Sequence, residues 1–317
     1  MKKLIALLLA LALLAGLTAC SVTLPETSDA TGAKTPETTA AKDPEPAGTK
    51  EPAPQTDAPV TEPAPELPAF EEQMLFDTDD CSMKITGIEE DDFWGYILKA
   101  QVENKTEDLN LRFSVDTAAV NGVSYDPYFS ADAAAGKKAN EEISFSDDTL
   151  NALLGDFTDI ELTLRVYNAD DWLSDDILKE TVHVYPLGQD KASVFVREAQ
   201  PTDVVLADND DFSVIVTGYD PEGFWGYTVK LYLVNKTDIP LCFNADDVSV
   251  NGFMCDPYWG KTVEPGKTAF SDMAWSNSDF EEIGVTDVEE VEFSLRVYNA
   301  DDIWADDLYQ EVLTLEP

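Results

Sequence analysis

The chain has 317 residues, with 63 aspartates and glutamates against 20 lysines and arginines, which gives a formal net charge of −43. A chain of this length has room for about two domains. Its acidity argues against binding to nucleic acid phosphates or to an anionic lipid surface, because both repel it at long range. Charged partners should therefore be cations or basic patches, although an acidic surface also simply keeps an exported protein soluble.

The first twenty residues have the order of an export signal. Two lysines precede an uninterrupted apolar run from Leu4 to Leu14, which is too short for a helix that spans a bilayer. The four residues that end at Cys20, LTAC, resemble a bacterial lipobox. That resemblance implies cleavage before Cys20 and attachment of acyl chains such as palmitate. The mature protein would then be a lipoprotein on the extracytoplasmic face of the cell membrane, exposed on the cell surface. An ordinary secretory signal with a chance cysteine is the alternative.

Residues 21–71 are predicted to form a disordered linker. Residues 21–69 contain no aromatic side chain and ten of the eighteen prolines, among threonine, alanine and scattered charges. Such a segment cannot bury enough apolar surface to fold. When stretched it would reach on the order of 150 Å, and it would hold the folded part of the chain away from the membrane.

The rest of the chain contains an internal repeat. FWGY begins at residues 93 and 224 and LRVYNADD at 164 and 295, both 131 apart, while VNG begins at 120 and 250. Two copies of domain size exclude a solenoid, whose units are about 20 to 50 residues long. We predict two domains, residues 72–187 and 203–317, with a joint at 188–202.

Apolar residues at every second position predict that both copies are all-β. The alternation runs from Trp94 to Val102 and from Trp225 to Leu233, so these strands should bury one face that includes both tryptophans. Strands at 160–166 and 291–297 should also belong to the core. About seven strands in roughly 110 residues is the count of an immunoglobulin-like β-sandwich.

Short local signals predict the turns. The Asn-Gly pairs at 121–122 and 251–252 predict tight hairpins, because both central residues of a type I′ turn need positive φ. Asn-Lys-Thr at 104–106 and at 235–237 ends a strand, so we interpret it as a turn rather than a glycan acceptor.

One short helix is expected in each copy. Ser146 or Asp147 should cap the first helix, and Asn277 or Ser278 should cap the second.

The architecture and the FWGY, VNG and LRVYNADD lines resemble the duplicated immunoglobulin-like ectodomains of uncharacterised lipoproteins from Gram-positive bacteria. The resemblance covers residues 72–317 and implies a location and a fold. That family has no settled activity to carry over to this chain.

The remaining cysteines and the single histidine give no strong functional signal. Cys81, Cys242 and Cys255 are an odd number in an exported chain. Cys255 should lie opposite Val248 in a hairpin, so a disulfide to Cys242 needs a neighbouring strand to carry Cys242, and it is left open. No zinc-ligand spacing occurs. His183 should be an outward-facing strand residue rather than part of a catalytic triad.

An acidic loop with one tryptophan follows the LRVY strand in each copy: NADDWLSDD at 168–176 and NADDIWADD at 299–307. Side-chain oxygens at this density suit a hard cation such as Ca²⁺, although the EF-hand spacing is absent. The alternatives are a solvated loop of local turns, or direct ligand binding by Trp172 or Trp304. The candidate metal ligands are Asn168, Asp170, Asp171, Asp175, Asp176, Asn299, Asp301, Asp302, Asp306 and Asp307.

Two classes of function fit these observations. One is a non-catalytic surface lipoprotein whose two similar domains bind a protein or glycan partner at the cell envelope. The other is an envelope-associated hydrolase with a carboxylate active site, which would need a cleft in one copy lined by residues that the other lacks. The matched motifs favour binding, and no catalytic residues and no cofactor other than Ca²⁺ are predicted.

Overall fold

The computed structural model describes residues 70–91 and 93–317, so the predicted signal, Cys20 and nearly all of the linker lie outside the described residues. This part of the chain is all-β with two short helices, as predicted. Within it, no helix is long and apolar enough to span a bilayer. The first repeat contains β1 (Gln73–Asp77), β2 (Cys81–Asp91), β3 (Gly95–Asn104), β4 (Leu111–Val120), β5 (Val123–Tyr125), β6 (Ser130–Ala133), β7 (Lys138–Phe145), α1 (Asp148–Leu154), β8 (Ile160–Asn168) and β9 (Leu178–Val184).

The second repeat has the same order of elements. It contains β10 (Val204–Asp208), β11 (Phe212–Gly223), β12 (Gly226–Asn235), β13 (Leu241–Val250), β14 (Phe253–Met254), β15 (Lys261–Val263), β16 (Thr268–Trp275), α2 (Asn277–Ile283), β17 (Val291–Asn299) and β18 (Tyr309–Leu315).

Strand pairing is also the same in the two repeats. The first has the order β1-β2-β3-β7 on one side and β5-β4-β8-β9 on the other, with β6 also on β4. The second has β10-β11-β12-β16 and β14-β13-β17-β18, with β15 on β13. The sets β2-β3-β7 and β4-β8-β9 are consistent with the A-B-E and C-F-G strands of an immunoglobulin-like sandwich. With the edge strand β1 and the short β5 and β6, the first repeat has nine strands, against the roughly seven predicted.

Each repeat has its own apolar core, to which both sets of strands contribute. In the first, Met83 and Leu98 from one set and Phe113 and Leu164 from the other are at most 1% exposed. The alternation predicted for the strands at 160–166 and 291–297 is confirmed, since every second residue is buried.

The predicted turns form and one helix cap differs. Asn121, Gly122, Asn251 and Gly252 all have positive φ, between 50° and 81°, as type I′ hairpins require. Asp147 caps α1 as predicted, because its side chain accepts from Leu150 N.

The cap of α2 is Ser276 rather than Asn277 or Ser278. Ser276 has the extended backbone of a cap and its Oγ accepts from Asp279 N, whereas Asn277 is already helical.

The two repeats contact each other. Strand β5 pairs with β16 in parallel at Val123 and Thr268, which joins strands of both repeats into one nine-stranded sheet. Lys267 Nζ lies 2.6 Å from Glu161 Oε2 across this junction, and both side chains are partly buried. Phe195, from the segment between the repeats, packs against Phe270 with a ring-centroid distance of 6.1 Å.

Candidate ligand-binding surfaces

The FWGY lines form the tips of the β2–β3 and β11–β12 hairpins. We predicted that Trp94 and Trp225 belong to a buried strand face, and this is wrong: they are 49% and 69% exposed. Each strand begins at the following glycine, so the tryptophan lies in the turn before the alternation starts. The neighbouring Phe93 and Phe224 are 76% and 91% exposed.

The glycine of FWGY determines the shape of the tip. Gly95 has φ +70° and Gly226 has φ +109°, and a Cβ on either would lie 2.2 Å from a backbone oxygen, of Phe145 or Trp275 respectively. No other residue type fits there without moving the backbone. The chain must therefore turn in the same place in both repeats, and the turn directs the two preceding aromatic residues into solvent.

The two tips have the same aromatic geometry. Phe93 and Trp94 are in edge-to-face contact with centroids 4.9 Å apart and planes at 87°, and Phe224 and Trp225 repeat both values. In the first repeat Asp91 Oδ1 accepts hydrogen bonds from Phe93 N and Trp94 N, at 2.8 and 2.9 Å, which holds the pKa of Asp91 below its ordinary value. Exposed apolar side chains at two matched positions mark a candidate interaction surface.

A second feature is a concavity beside each tip. In the first repeat it measures about 860 Å³ and lies between the hairpin and α1, with Glu90, Asp91, Asp148 and Asp156 on its walls and Tyr96 among its lining residues. Its equivalent in the second repeat measures about 470 Å³ and is less acidic: Pro221 and Asn277 replace Glu90 and Asp148, while Glu281 and Asp287 still line it. This difference in acidic lining between the copies is an asymmetry that a hydrolase could use.

The acidic loops lie at the opposite end of each repeat from the aromatic tips. Ala169 N donates to Asn110 O, next to the end of β3, whereas the tip is at its start. Asn168 Oδ1 accepts from Asp170 N at 3.0 Å, and Asp171 Oδ1 accepts from Leu173 N at 3.3 Å. The second repeat has the same pattern, with acceptors on Asn299 and Asp302 and donors on Asp301 and Trp304.

The last aspartate of each loop pairs with the arginine of LRVY. Asp176 bonds Arg165 Nε at 2.5 Å and Asp307 bonds Arg296 Nε at 2.9 Å, and each guanidinium stacks on the tyrosine two residues later. Within the described residues no three acidic, histidine or cysteine side chains are placed to hold a metal ion. These contacts favour the solvated-turn interpretation. The alternative stays untested, namely Ca²⁺ binding through Asn168, Asp170, Asp171, Asp175, Asp176, Asn299, Asp301, Asp302, Asp306 and Asp307.

The tryptophans of these loops do not cover the core. Trp172 is 67% and Trp304 90% exposed. Ligand binding by either residue stays a prediction, since exposure alone does not distinguish it from a solvated loop.

The cysteines and the histidine have ordinary structural surroundings. Cys255 N donates to Val248 O, as the hairpin count predicted, and Cys242 and Cys255 are both free thiols, so the disulfide left open does not form. His183 faces outward on β9, as predicted, with Nδ1 2.7 Å from Asp159 Oδ1.

The Asn-Lys-Thr lines hold a contact that sequence reasoning missed. Asn104 is fully buried; its Nδ2 donates to Leu109 O and Ala133 O, both at 2.8 Å, and its Oδ1 accepts from Thr106 N. Asn235 makes the equivalent bonds to Ile239 O and Val263 O. The same triplet recurs at the ends of two strands, and this repetition could have indicated a buried structural asparagine.

Comparison of the chain with models of known protein families and with characterised proteins finds no match.

Proposed function

We propose that this protein is a membrane-anchored surface lipoprotein without catalytic activity, whose two repeats bind a partner at the cell envelope through their aromatic hairpin tips. The observation that carries the proposal is the matched pair of exposed Phe-Trp contacts, with the same geometry at the same place in both repeats. Burying such side chains against a partner yields more free energy than burying most others.

The fold itself gives no reason to expose these rings. The turn that the glycines set places no demand for aromatic side chains at the two preceding positions. Polar residues there would fit the same turn and would be better solvated. Four large aromatic side chains instead remain in solvent, two at equivalent positions of each repeat.

The anchor is tested at Cys20. We expect the native chain to partition into the detergent phase. Cys20→Ala should partition into the aqueous phase, because it lacks the thiol that would carry the acyl chains. Processing and membrane association of Cys20→Ala that match the native chain would overturn the lipoprotein assignment.

The tips are tested with the full chain carrying Cys20→Ala, expressed without export, so that lipid contributes nothing. We expect Phe93→Ala with Phe224→Ala to reduce retention by isolated envelope fractions at least tenfold. Met74→Ala with Val205→Ala is the matched control, because these exposed apolar residues occupy equivalent edge-strand positions. Unchanged retention of the tip variant, or equal loss in the control, would overturn the proposal.

A hydrolase that uses the acid-lined cleft of the first repeat is the second candidate. The observation that favours it is the replacement of Glu90 and Asp148 by Pro221 and Asn277 in the other copy. Incubation of the full chain with envelope glycans, followed by chromatography of the products, separates the two candidates. The binding proposal predicts no cleavage, whereas cleavage that Glu90→Gln with Asp148→Asn abolishes would establish the hydrolase.

A further inference from the structure

The outer face of the β2-β3-β7 sheet carries a groove that the tips do not explain. It measures about 630 Å³, within the range of small-ligand sites, and runs between Trp94 and Tyr128. Its other lining residues are Thr86, Lys99, Ala100, Gln101, Ser130, Asn140, Glu141, Glu142 and Ser144. The groove therefore combines two exposed aromatic rings with amides, hydroxyls and carboxylates.

One buried serine fixes both aromatic walls. Ser144 Oγ donates to Trp94 O at 2.6 Å, and the Ser144 backbone exchanges two hydrogen bonds with Tyr128, at 2.9 and 3.0 Å. Both aromatic residues are thus attached to the same point of β7. The tyrosine ring is nevertheless 72% exposed, so its orientation leaves it available to a ligand.

The sheet between these walls presents one oriented amide pair. Gln101 Nε2 donates to Asn140 Oδ1 at 3.0 Å. Gln101 Oε1 and Asn140 Nδ2 hydrogen-bond no other residue in the described part of the chain, so they offer one acceptor and one donor side by side.

We propose that this groove binds a neutral oligosaccharide of N-acetylated hexosamines, an inference that rests on the proposed binding function and names its partner class. An acetamido group has one N–H and one C=O, which complement Gln101 Oε1 and Asn140 Nδ2. The C–H face of a pyranose ring suits the negatively polarised faces of Trp94 and Tyr128. Glu141 and Glu142 disfavour anionic sugars, because Lys99 of the same groove is already paired with Glu89.

The second repeat lacks this groove. Gln101 and Asn140 correspond to Tyr232 and Phe270, whose rings are in contact with centroids 5.0 Å apart and planes tilted by 47°. Phe195 packs on Phe270, and Arg197 lies over the Tyr232 ring at 5.4 Å. Because the segment between the repeats covers this face, the sugar site belongs to the first repeat alone, and the second repeat supplies matched controls.

The test is calorimetric titration of the full chain carrying Cys20→Ala with chitohexaose, the hexamer of β-1,4-linked N-acetylglucosamine. We expect Tyr128→Ala to raise Kd at least tenfold and its counterpart Tyr258→Ala to change it less than twofold. Gln101→Ala with Asn140→Ala should remove the preference for chitohexaose over cellohexaose, which lacks the acetamido group. Tyr128, Asn140 and Tyr258 are exposed and Gln101 is half-buried, so melting temperatures should be nearly unchanged.

Two outcomes overturn the inference: no binding of chitohexaose by the native groove, or equal loss in Tyr128→Ala and Tyr258→Ala. Its failure is distinguishable from that of the proposed function. Envelope retention that depends on Phe93 and Phe224 without chitohexaose binding removes only the sugar site. If chitohexaose binds but retention by envelope fractions does not depend on Phe93 and Phe224, only the role of the tips is removed.

Discussion

Two buried asparagines show how much a single residue contributes to these repeats. Asn104 and Asn235 each join the end of a long strand to a loop carbonyl and to a carbonyl of β6 or β15. Both amide hydrogens and the amide oxygen are used, so the side chain behaves as a piece of backbone. Because Asn104 and Asn235 are 0% and 1% exposed, their amide nitrogens are not accessible as glycan acceptors in the folded protein.

Asn104→Ala should lower the free energy of unfolding by about 2–4 kcal/mol, because two carbonyls lose their partners and each buried unsatisfied group costs about 1–3 kcal/mol. Urea unfolding followed by circular dichroism measures the change. Asn110→Ala is the control, since Asn110 is exposed and its side chain bonds only the exposed Asp170 among the described residues, and we expect a change within about 0.5 kcal/mol. Equal effects in the two variants would contradict the role assigned to Asn104.

Two buried tyrosines should respond in opposite ways to loss of the hydroxyl. The Tyr125 hydroxyl bonds Asn151 Oδ1 and Asp147 N, both at 2.8 Å, whereas Tyr227 Oη is buried with no partner among the described residues. We expect Tyr125→Phe to cost about 1–2 kcal/mol at pH 7. Tyr227→Phe should leave stability unchanged or raise it, because it removes an unsatisfied polar atom.

The stability of the protein at alkaline pH provides a second test of the buried Tyr227. Burial raises the pKa of Tyr227 to about 12, so the folded protein keeps a proton that the unfolded chain loses near pH 10. The stability that this difference contributes is complete below pH 10 and is lost as pH rises toward 12, by at most about 1.4 kcal/mol per pH unit. Unfolding of Tyr227→Phe between pH 10 and 12 should therefore show a shallower decline than the native chain, and an identical slope would refute this.

At the scale of elements, the sequence predicts strands and turns that depend on neighbouring residues. It does not predict features whose residues come from separate strands. Alternation and the Asn-Gly pairs depend on neighbouring residues, and the strands and hairpins that they predicted form. The tryptophans were misplaced because the start of a strand is set by a glycine contact with β7 or β16. The groove could not be predicted, because its residues come from separate strands and from the loop before β6.

The acidic loops make one element-scale prediction. Their amide and carboxylate oxygens already close local turns in both repeats, so we expect millimolar Ca²⁺ to raise the melting temperature no more than NaCl of equal ionic strength does. An additional rise with Ca²⁺ that Asp170→Asn with Asp171→Asn abolishes would instead support the metal site considered from the sequence.

At the scale of the whole molecule, the repeats form a docked pair rather than two separate units. The shared sheet and the Lys267–Glu161 ion pair join them, and the segment between them covers a face of the second repeat only. The groove is therefore open in the first repeat and covered in the second, whereas the aromatic tips of the two repeats have the same geometry. Two like sites on one chain should bind a surface with many partners more tightly than one site does.

The central claim is that the two aromatic tips bind one surface together. It is tested most directly by measuring how fast the protein dissociates from envelope fractions. Three proteins are compared, each as the full chain with Cys20→Ala: the native sequence, Phe93→Ala and Phe224→Ala. Trp94 is left unchanged because it also lines the groove. We predict that each single variant dissociates at least tenfold faster than the native chain and that the two variants agree within about threefold. Dissociation that depends on only one tip, or on neither, would contradict the claim that the duplicated hairpins are paired binding surfaces.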